Sequence, residues 1–425
     1  MKSSVRELDG RHVWHPYTQH LGAAPPVPIT TAQGAYLFDE SGRRIFDAIS
    51  SWWVTLHGHA HPAIARAVAE QATKLEQVIF AGFTHEPGAQ LAERLCAFLP
   101  AGLTRVFFSD DGSTAVEVAL KMALQYWDGR GSRRPLIAAL ENAYHGDTFG
   151  AMSASARGVF TVPFAEHLFE VARLPDPSDD GAATVAALDH LLDTRGTDLA
   201  AVIVEPLLLG AGGMRVWSPE TLRAIRDRTA EAGVLLIADE VLTGFGRTGP
   251  NFACAHAGVT PDIVCLSKGL TGGFLPLGAT VTREEVFAQF LSADRRRALF
   301  HGHSYTANPI ACAAALASLA LLDDASRCAR QAIERTHREQ LDHLATHPLV
   351  ANRRVLGTVA AFDLATEPGY LSPVGAELGS FALREGVLLR PLGNVVYLLP
   401  PYCASADDLV DAYGVIQRFL ATRGA

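Results

Sequence analysis

Two short runs constrain this chain more than anything else in it: Val234-Leu235-Leu236-Ile237-Ala238 and Ile263-Val264-Cys265-Leu266-Ser267. Gly233 precedes the first and Pro261-Asp262 the second. Continuous apolar runs of about five residues bounded by such breakers read as strands buried on both faces of a parallel sheet. Each run closes on one ionisable residue, Asp239 and Lys268. In open α/β sheets the carboxyl ends of the strands are where ligands bind.

The plainer reading of Asp239 and Lys268 is a structural ion pair between neighbouring strands. Lysine usage favours another. Of 36 lysines and arginines only four are lysine: Lys2, Lys74, Lys121 and Lys268. Where positive charge alone is needed, the chain uses arginine. A lysine between an apolar run and the Gly-rich stretch 269–278 suggests that a titratable amine is required, because a buried amine loses its proton readily and attacks carbonyl carbon. An aspartate on the next strand can keep a pyridinium nitrogen protonated. Together the two residues suit a pyridoxal phosphate (PLP) site.

Further runs, Arg105–Ser109, Leu136–Leu140 and Ala200–Val204, alternate with helical patterns at Pro87–Leu99, Ala115–Trp127 and Ser218–Ala232. This alternation predicts a large α/β domain with a mostly parallel, doubly wound sheet, its strand ends near Ser109, Leu140, Glu205, Asp239 and Lys268 on one rim. From Val355 the pattern becomes α+β: strands Val359–Leu364, Val387–Arg390 and Val395–Leu399, helix 374–385, and a terminal helix capped by Ser405. At 425 residues the chain exceeds what one core usually serves. The expected division is an N-terminal arm with part of the small domain at 1–55, a large domain at 56–320 and the remaining small domain at 321–425.

A net charge of −9 gives no electrostatic reason to expect nucleic acid or an anionic membrane as partner. The six cysteines lack CxxC spacing, which suits a reducing cytoplasm and no zinc site. No apolar leader is visible at the N-terminus. The stretch 308–322 is too short and Ala-rich for a membrane span.

Several segments carry local signals. Asp110-Asp111-Gly112-Ser113-Thr114 turns a strand into a helix, with Thr114-x-x-Glu117 fitting a capping box; it is either an ordinary βα turn or a phosphate seat at a helix N-terminus. Tyr144-His145 follows a strand end and could stack on a flat ring or fill a loop. In Ser51-Trp52-Trp53 an extended backbone would send the indoles to opposite sides, so at least one is expected at a site or interface. His57, His59 and His61 alternate, but without acidic or Cys partners they make a poor metal set. His61–Val78 reads as a helix, Tyr36–Asp39 and Arg44–Asp47 as a hairpin, and 1–35 as an irregular arm with an aromatic cluster around Trp14 and Tyr17. Arg390 could clamp a carboxylate or cap a surface.

Taken together, Asp-Glu-Val-x-Thr-Gly-Phe-Gly-Arg-Thr-Gly (239–249), Pro-Asp-Ile-x-x-x-Ser-Lys-Gly (261–269) and Tyr-His-Gly-Asp-Thr (144–148) resemble the class III aminotransferases of PLP fold type I over nearly the full length. That resemblance implies a homodimeric, cytoplasmic transaminase with shared active sites. Lys268 would hold the coenzyme and move the proton, Asp239 would hold the pyridinium, and Tyr144 would stack on the ring. Gly112 and Ser113 would bind the phosphate, with His303 and Ser304 of the other subunit; His303-Ser304 stands where some relatives have Pro-Thr, keeping a hydroxyl. His-Pro-Tyr-Thr-Gln (15–19), Ser-Trp-Trp (51–53) and Arg-Pro-x-Gly-x-x-x-Tyr-x-x-Pro-Pro-Tyr (390–402) narrow the implied substrates to S-adenosylmethionine as amino donor and 8-amino-7-oxononanoate as acceptor. Tyr17, Trp52, Trp53, Gly302 and Arg390 would shape their pocket, with Arg247 and Tyr397 as second contributors. The implied alternatives are lysine as donor, or an ω-amino acid or diamine aminotransferase of the same family.

Overall fold

The structure, a computed structural model, describes residues 3–423. Its centre is a seven-stranded sheet in the order Leu103–Ser109, Gly278–Arg283, Ile263–Leu266, Leu235–Asp239, Leu199–Val204, Leu136–Leu140, Val171–Leu174. Gly278–Arg283 runs antiparallel to both its neighbours; the other pairings are parallel. The two opening runs lie side by side, with Asp239 level with Cys265. Alternate residues face opposite layers. Leu236, Ala238, Val264 and Leu266 enter one core, while Leu235, Ile237, Ile263 and Cys265 enter the other. A run with apolar side chains on both faces can satisfy both layers only in the middle of the sheet. Each buried leucine or isoleucine contributes about 1.5–3 kcal/mol of transfer free energy.

Gly278–Arg283 was not anticipated as a strand. It is buried despite two threonines because Thr280 Oγ1 donates to the Ala115 carbonyl at 2.7 Å and Thr282 Oγ1 to that of Asp262 at 3.0 Å.

A second core joins the two ends of the chain. Val387–Leu388 pairs in parallel with Arg44–Asp47, extending the Tyr36–Asp39/Arg44–Asp47 hairpin and its neighbour Ile29–Gln33. Ala35, Phe46 and Ala48 pack with Phe362, Leu409 and Phe419. Strands Val350–Leu356, Val359–Leu364 and Val395–Leu398 form a separate sheet beside helices Asp324–His343, Pro373–Arg384 and Ala406–Ala421. The arm contains a helix, Val5–His12, closed by a Ser4/Glu7 capping box. The helix expected over 61–78 stops at Ala72. No single helix among the described residues is long and apolar enough to cross a membrane.

Candidate active site

A cavity of about 420 Å³ opens at the carboxyl rim of the sheet, lined among others by Trp53, Gly112, Ser113, Tyr144, Asp239 and Lys268. Strand geometry brings the last two together. The Leu235–Asp239 strand ends on its aspartate, and Ile263–Leu266 is followed by Ser267 and a short turn that begins at Lys268. Lys268 has φ +44°, a conformation disfavoured for side chains bearing a Cβ. The turn is held by close packing, since a Cβ on Gly269 would stand 2.8 Å from Leu56 Cδ1. Burial holds the Lys268 amine below its ordinary range, opposed by the charges of Asp239 and Glu205. Its Nζ lies 4.7 Å from the centroid of the Trp53 ring. An amine that gives up its proton readily is what a nucleophile needs.

Asp239 is anchored from behind. Its Oδ2 lies 2.7 Å from His145 Nδ1, and its Oδ1 accepts the Val241 amide at 3.1 Å. His145, in the lining of the same cavity, is thus tied to Asp239 by its Nδ1 edge. Facing a carboxylate, Nδ1 carries the proton, and the ring orients Asp239.

At the other end the Gly112–Gly129 helix points its N-terminus into the cavity. Asp111, not Thr114, is the cap: Asp111 Oδ1 accepts the Thr114 amide at 2.8 Å, and Thr114 Oγ1 accepts the Asp111 amide at 3.0 Å. Glu117 instead accepts from Thr148 Oγ1 and from the Gly150 and Ala151 amides. The Gly112 and Ser113 amides are left without an acceptor among the described residues. The Tyr144–Thr148 loop closes tightly on this helix end, for a Cβ on Gly146 would lie 2.1 Å from Ser113 Oγ. Two open amides at a helix N-terminus suit a phosphate. With a buried amine and an oriented carboxylate at one cavity, the residues fit PLP.

Tyr17, Trp52 and Arg390, outside the lining of this cavity, form an aromatic wall beside it that meets it at Tyr144. Tyr17 Oη lies 3.2 Å from Tyr144 Oη and donates to the Asp147 carboxylate. Burial, then Asp147, pushes the Tyr17 phenol up to about 12. The Trp52 ring sits 5.5 Å from that of Tyr17, and the Arg390 guanidinium lies over Trp52 at 3.9 Å. Arg390 has no carboxylate partner among the described residues. Trp53 and Trp52 do diverge, but through a kinked turn rather than an extended strand.

Two expected contributors stand behind this wall. Arg247 is buried and outside the cavity lining, its Nη1 donating to the Pro400 carbonyl at 2.8 Å. Tyr397 is also buried, its hydroxyl accepting from Trp53 Nε1 at 2.9 Å. Arg247 is walled in by Tyr402, whose ring lies 5.2 Å away, and Tyr397 supports the Trp53 indole. Gly302, His303 and Ser304 lie away from their own chain's cavity, on a segment tied to Gln77 through the Ser304 carbonyl at 2.8 Å.

Sequence reading passed over Asp147 as a partner of Tyr17, the 273–277 loop, and a second cavity of about 690 Å³ that adjoins the first at Tyr144, Gly146 and Ala211 and runs under Phe160 and Tyr370. It also passed over Glu205 as a cavity residue, although its place at a strand end was a signal. Glu205 accepts the Tyr144 amide at 2.8 Å and the Gly210 amide at 3.0 Å. Burial nevertheless pushes it up to about 7. The folded chain then binds a proton more tightly than the unfolded chain, so this stabilisation is present below the ordinary carboxylate range and is lost as pH rises toward 7. Its full size is on the order of 3 kcal/mol. Thermal unfolding should show a decline in stability between about pH 5 and 7 that Glu205→Gln flattens. The slope is the readout, because an amide here must turn an N–H toward one of those backbone amides.

The profile of the family described as Aminotransferase class-III matches residues 17–420. The adenosylmethionine-8-amino-7-oxononanoate aminotransferase of Synechococcus elongatus is 52% identical over 96% of this chain and 98% of its own. A crystal structure of the enzyme of that name from Methanocaldococcus jannaschii superposes with a TM-score of 0.93 at 33% identity, covering 97% of this chain and 98% of that one. An amine transaminase from an uncultivated Pseudomonas species, solved in its PLP-bound form, gives a TM-score of 0.89 at 32% identity, covering 97% and 99%. Matched by that profile along all but its two ends, the chain belongs to the class III aminotransferases and is a PLP-dependent transaminase.

Proposed function

We propose that this enzyme moves the amino group of S-adenosylmethionine to 8-amino-7-oxononanoate, forming 7,8-diaminononanoate for biotin synthesis. Relatives bearing that name span nearly the whole chain. The observation that carries the reading on this chain is Arg390, a cation without a carboxylate partner lying on Trp52 beside Tyr17. An aliphatic keto acid with a carboxylate at its far end needs such an anchor.

Bound PLP supplies an electron sink and carries the amino group from the first substrate to the second. Lys268 would hold the coenzyme through Nζ, and that amine would move a proton to and from the substrate carbon. Asp239, kept in place by His145, would hold the pyridinium, and Tyr144 would stack on the ring. Gly112 and Ser113 would receive the phosphate. Tyr17, Trp52 and Trp53 exclude water and offer flat surfaces to both substrates, including cation–π contact with the donor's sulfonium. Arg247 and Tyr397 act from behind the wall.

The working unit is a homodimer in which a second copy supplies Gly302, His303 and Ser304. Exposed apolar side chains on and near that segment, among them Ile79, Phe83, Phe300 and Tyr305, support this assembly. The cytoplasm is its compartment, in keeping with six free cysteines.

Stopped-flow measurement of the separate half-reactions tests the assignment. A charge-assisted contact is worth roughly 1.5–3 kcal/mol, so Arg390→Ala should slow the keto-acid half by about one to two decades. Loss confined to the donor half would invert the placement of the two substrates. If lysine converts the coenzyme to its amino form and S-adenosylmethionine does not, the donor is lysine.

A further inference from the structure

The turn that carries both tryptophans is held in a conformation its own residues do not favour. Ser50, Ser51 and Trp53 have φ +53°, +60° and +68°, the left-handed region that side chains with a Cβ avoid. The turn contains no glycine or asparagine to ease this. The restraint comes from outside it. Asp47, fully buried, accepts the Ile49 amide on Oδ1 at 3.2 Å and the Ser51 amide on Oδ2 at 2.6 Å. His59 Nε2 lies 2.8 Å from that same Oδ2. Facing a carboxylate oxygen, this ring nitrogen is the donor.

Both partners are themselves fixed. The His59 amide donates to the Gly34 carbonyl at 2.7 Å, and the Gly34 amide returns a bond at 3.2 Å. Asp47 sits in a strand level with Leu388, two residues before Arg390. Ser50 Oγ adds a bond to the Leu399 carbonyl at 2.7 Å. The turn delivers Trp53 against Lys268 and Trp52 beneath Arg390. Neither Asp47 nor His59 lines either cavity.

We infer that Asp47 and His59 are positioning residues that set Trp52, and through it the enzyme's hold on its keto-acid substrate. The inference rests on the reading of Trp52 and Arg390 as the substrate wall. A buried carboxylate needs its lone pairs satisfied. Without His59, Oδ2 lacks one donor, the grip on the Ser51 amide loosens, and the turn relaxes toward right-handed backbone, swinging Trp52 away from Arg390.

The test is a double-mutant cycle on the PLP-loaded enzyme, reading each half-reaction, the coenzyme's visible absorption and the Tm. His59→Ala should slow the keto-acid half-reaction about tenfold at low substrate concentration, with the coenzyme absorption retained. In a Trp52→Ala background the same change should have less than about a twofold further effect, because both changes act through one indole. His59→Gln, whose amide nitrogen reaches near the Nε2 position, should recover the rate to within about threefold. If His59→Ala does not fold, His59→Asn carries the same prediction, its shorter amide stopping short of Asp47. Additive losses, or a His59→Ala enzyme with an unchanged keto-acid half-reaction while Trp52→Ala is impaired, overturn the positioning role and leave the substrate wall standing. A silent Trp52→Ala overturns the wall, and this inference with it.

Discussion

Lys268→Ala is expected to abolish turnover, by more than about four decades, with the fold intact. The substitution removes at once the amine that would hold the coenzyme and the group that would move the proton. No other lysine among the described residues is placed to replace it, since neither Lys74 nor Lys121 lines the cavity. Alanine meets the positive φ of this position at the same cost as lysine, so the turn has no new reason to change. Burial already holds the amine below its ordinary range, and deleting it removes a group that is costly to desolvate. The Tm should therefore stay the same or rise in the coenzyme-free protein. Borohydride reduction of the wild-type enzyme should leave a pyridoxyl group on Lys268 when peptides are mapped. A label on Lys74 or Lys121, or appreciable turnover in the variant, would refute the assignment.

The second large effect is expected at Asp239→Asn. The carboxylate is nearly inaccessible, and it already accepts from His145 Nδ1 and the Val241 amide. Its charge is thus held rigidly in a site that water does not screen, where an ionic partner has its greatest influence on a pyridinium proton. Loss of one member of a buried charge pair typically costs about 3–5 kcal/mol. Borne mainly by the transition state, that cost lowers the rate by roughly two to four decades. Both half-reactions should suffer alike, because the ring nitrogen serves both. That symmetry separates Asp239 from Arg390, whose loss should fall on one half. A variant that turns over at nearly the wild-type rate would remove Asp239 from the role. His145→Ala should lie between the variant and wild type, since it misorients the carboxylate without deleting it.

What the sequence determined by itself lies mostly in the large sheet. Runs such as Val234–Ala238 and Ile263–Leu266 are apolar on both faces, and only a central strand can use both. Their place in the interior of the sheet follows from that pattern, and Asp239 and Lys268 fall on one rim because each closes its run. The Gly278–Arg283 strand was hidden because its threonines satisfy their hydroxyls on distant carbonyls, a fact no local pattern carries. The same applies to the capping of the Gly112–Gly129 helix, where the sequence pattern pointed to Thr114 and the folded backbone places Asp111 at the cap.

The tertiary structure alone decided which polar and aromatic side chains meet. Tyr17 reaches Tyr144 across 127 positions, and Trp53 reaches Tyr397 across 344. Arg247, in the 239–249 motif, and Arg390, at the head of the 390–402 motif, are both expected at the site, yet one is buried against the Pro400 carbonyl and the other lies on Trp52. Arginine serves a carbonyl, a ring or a carboxylate with the same guanidinium, so its type cannot foretell which. Periodicity encodes the face on which a residue lies, because that depends on nearest neighbours along the chain. The partner it finds depends on how separate elements pack, and that is settled only when the whole chain has folded.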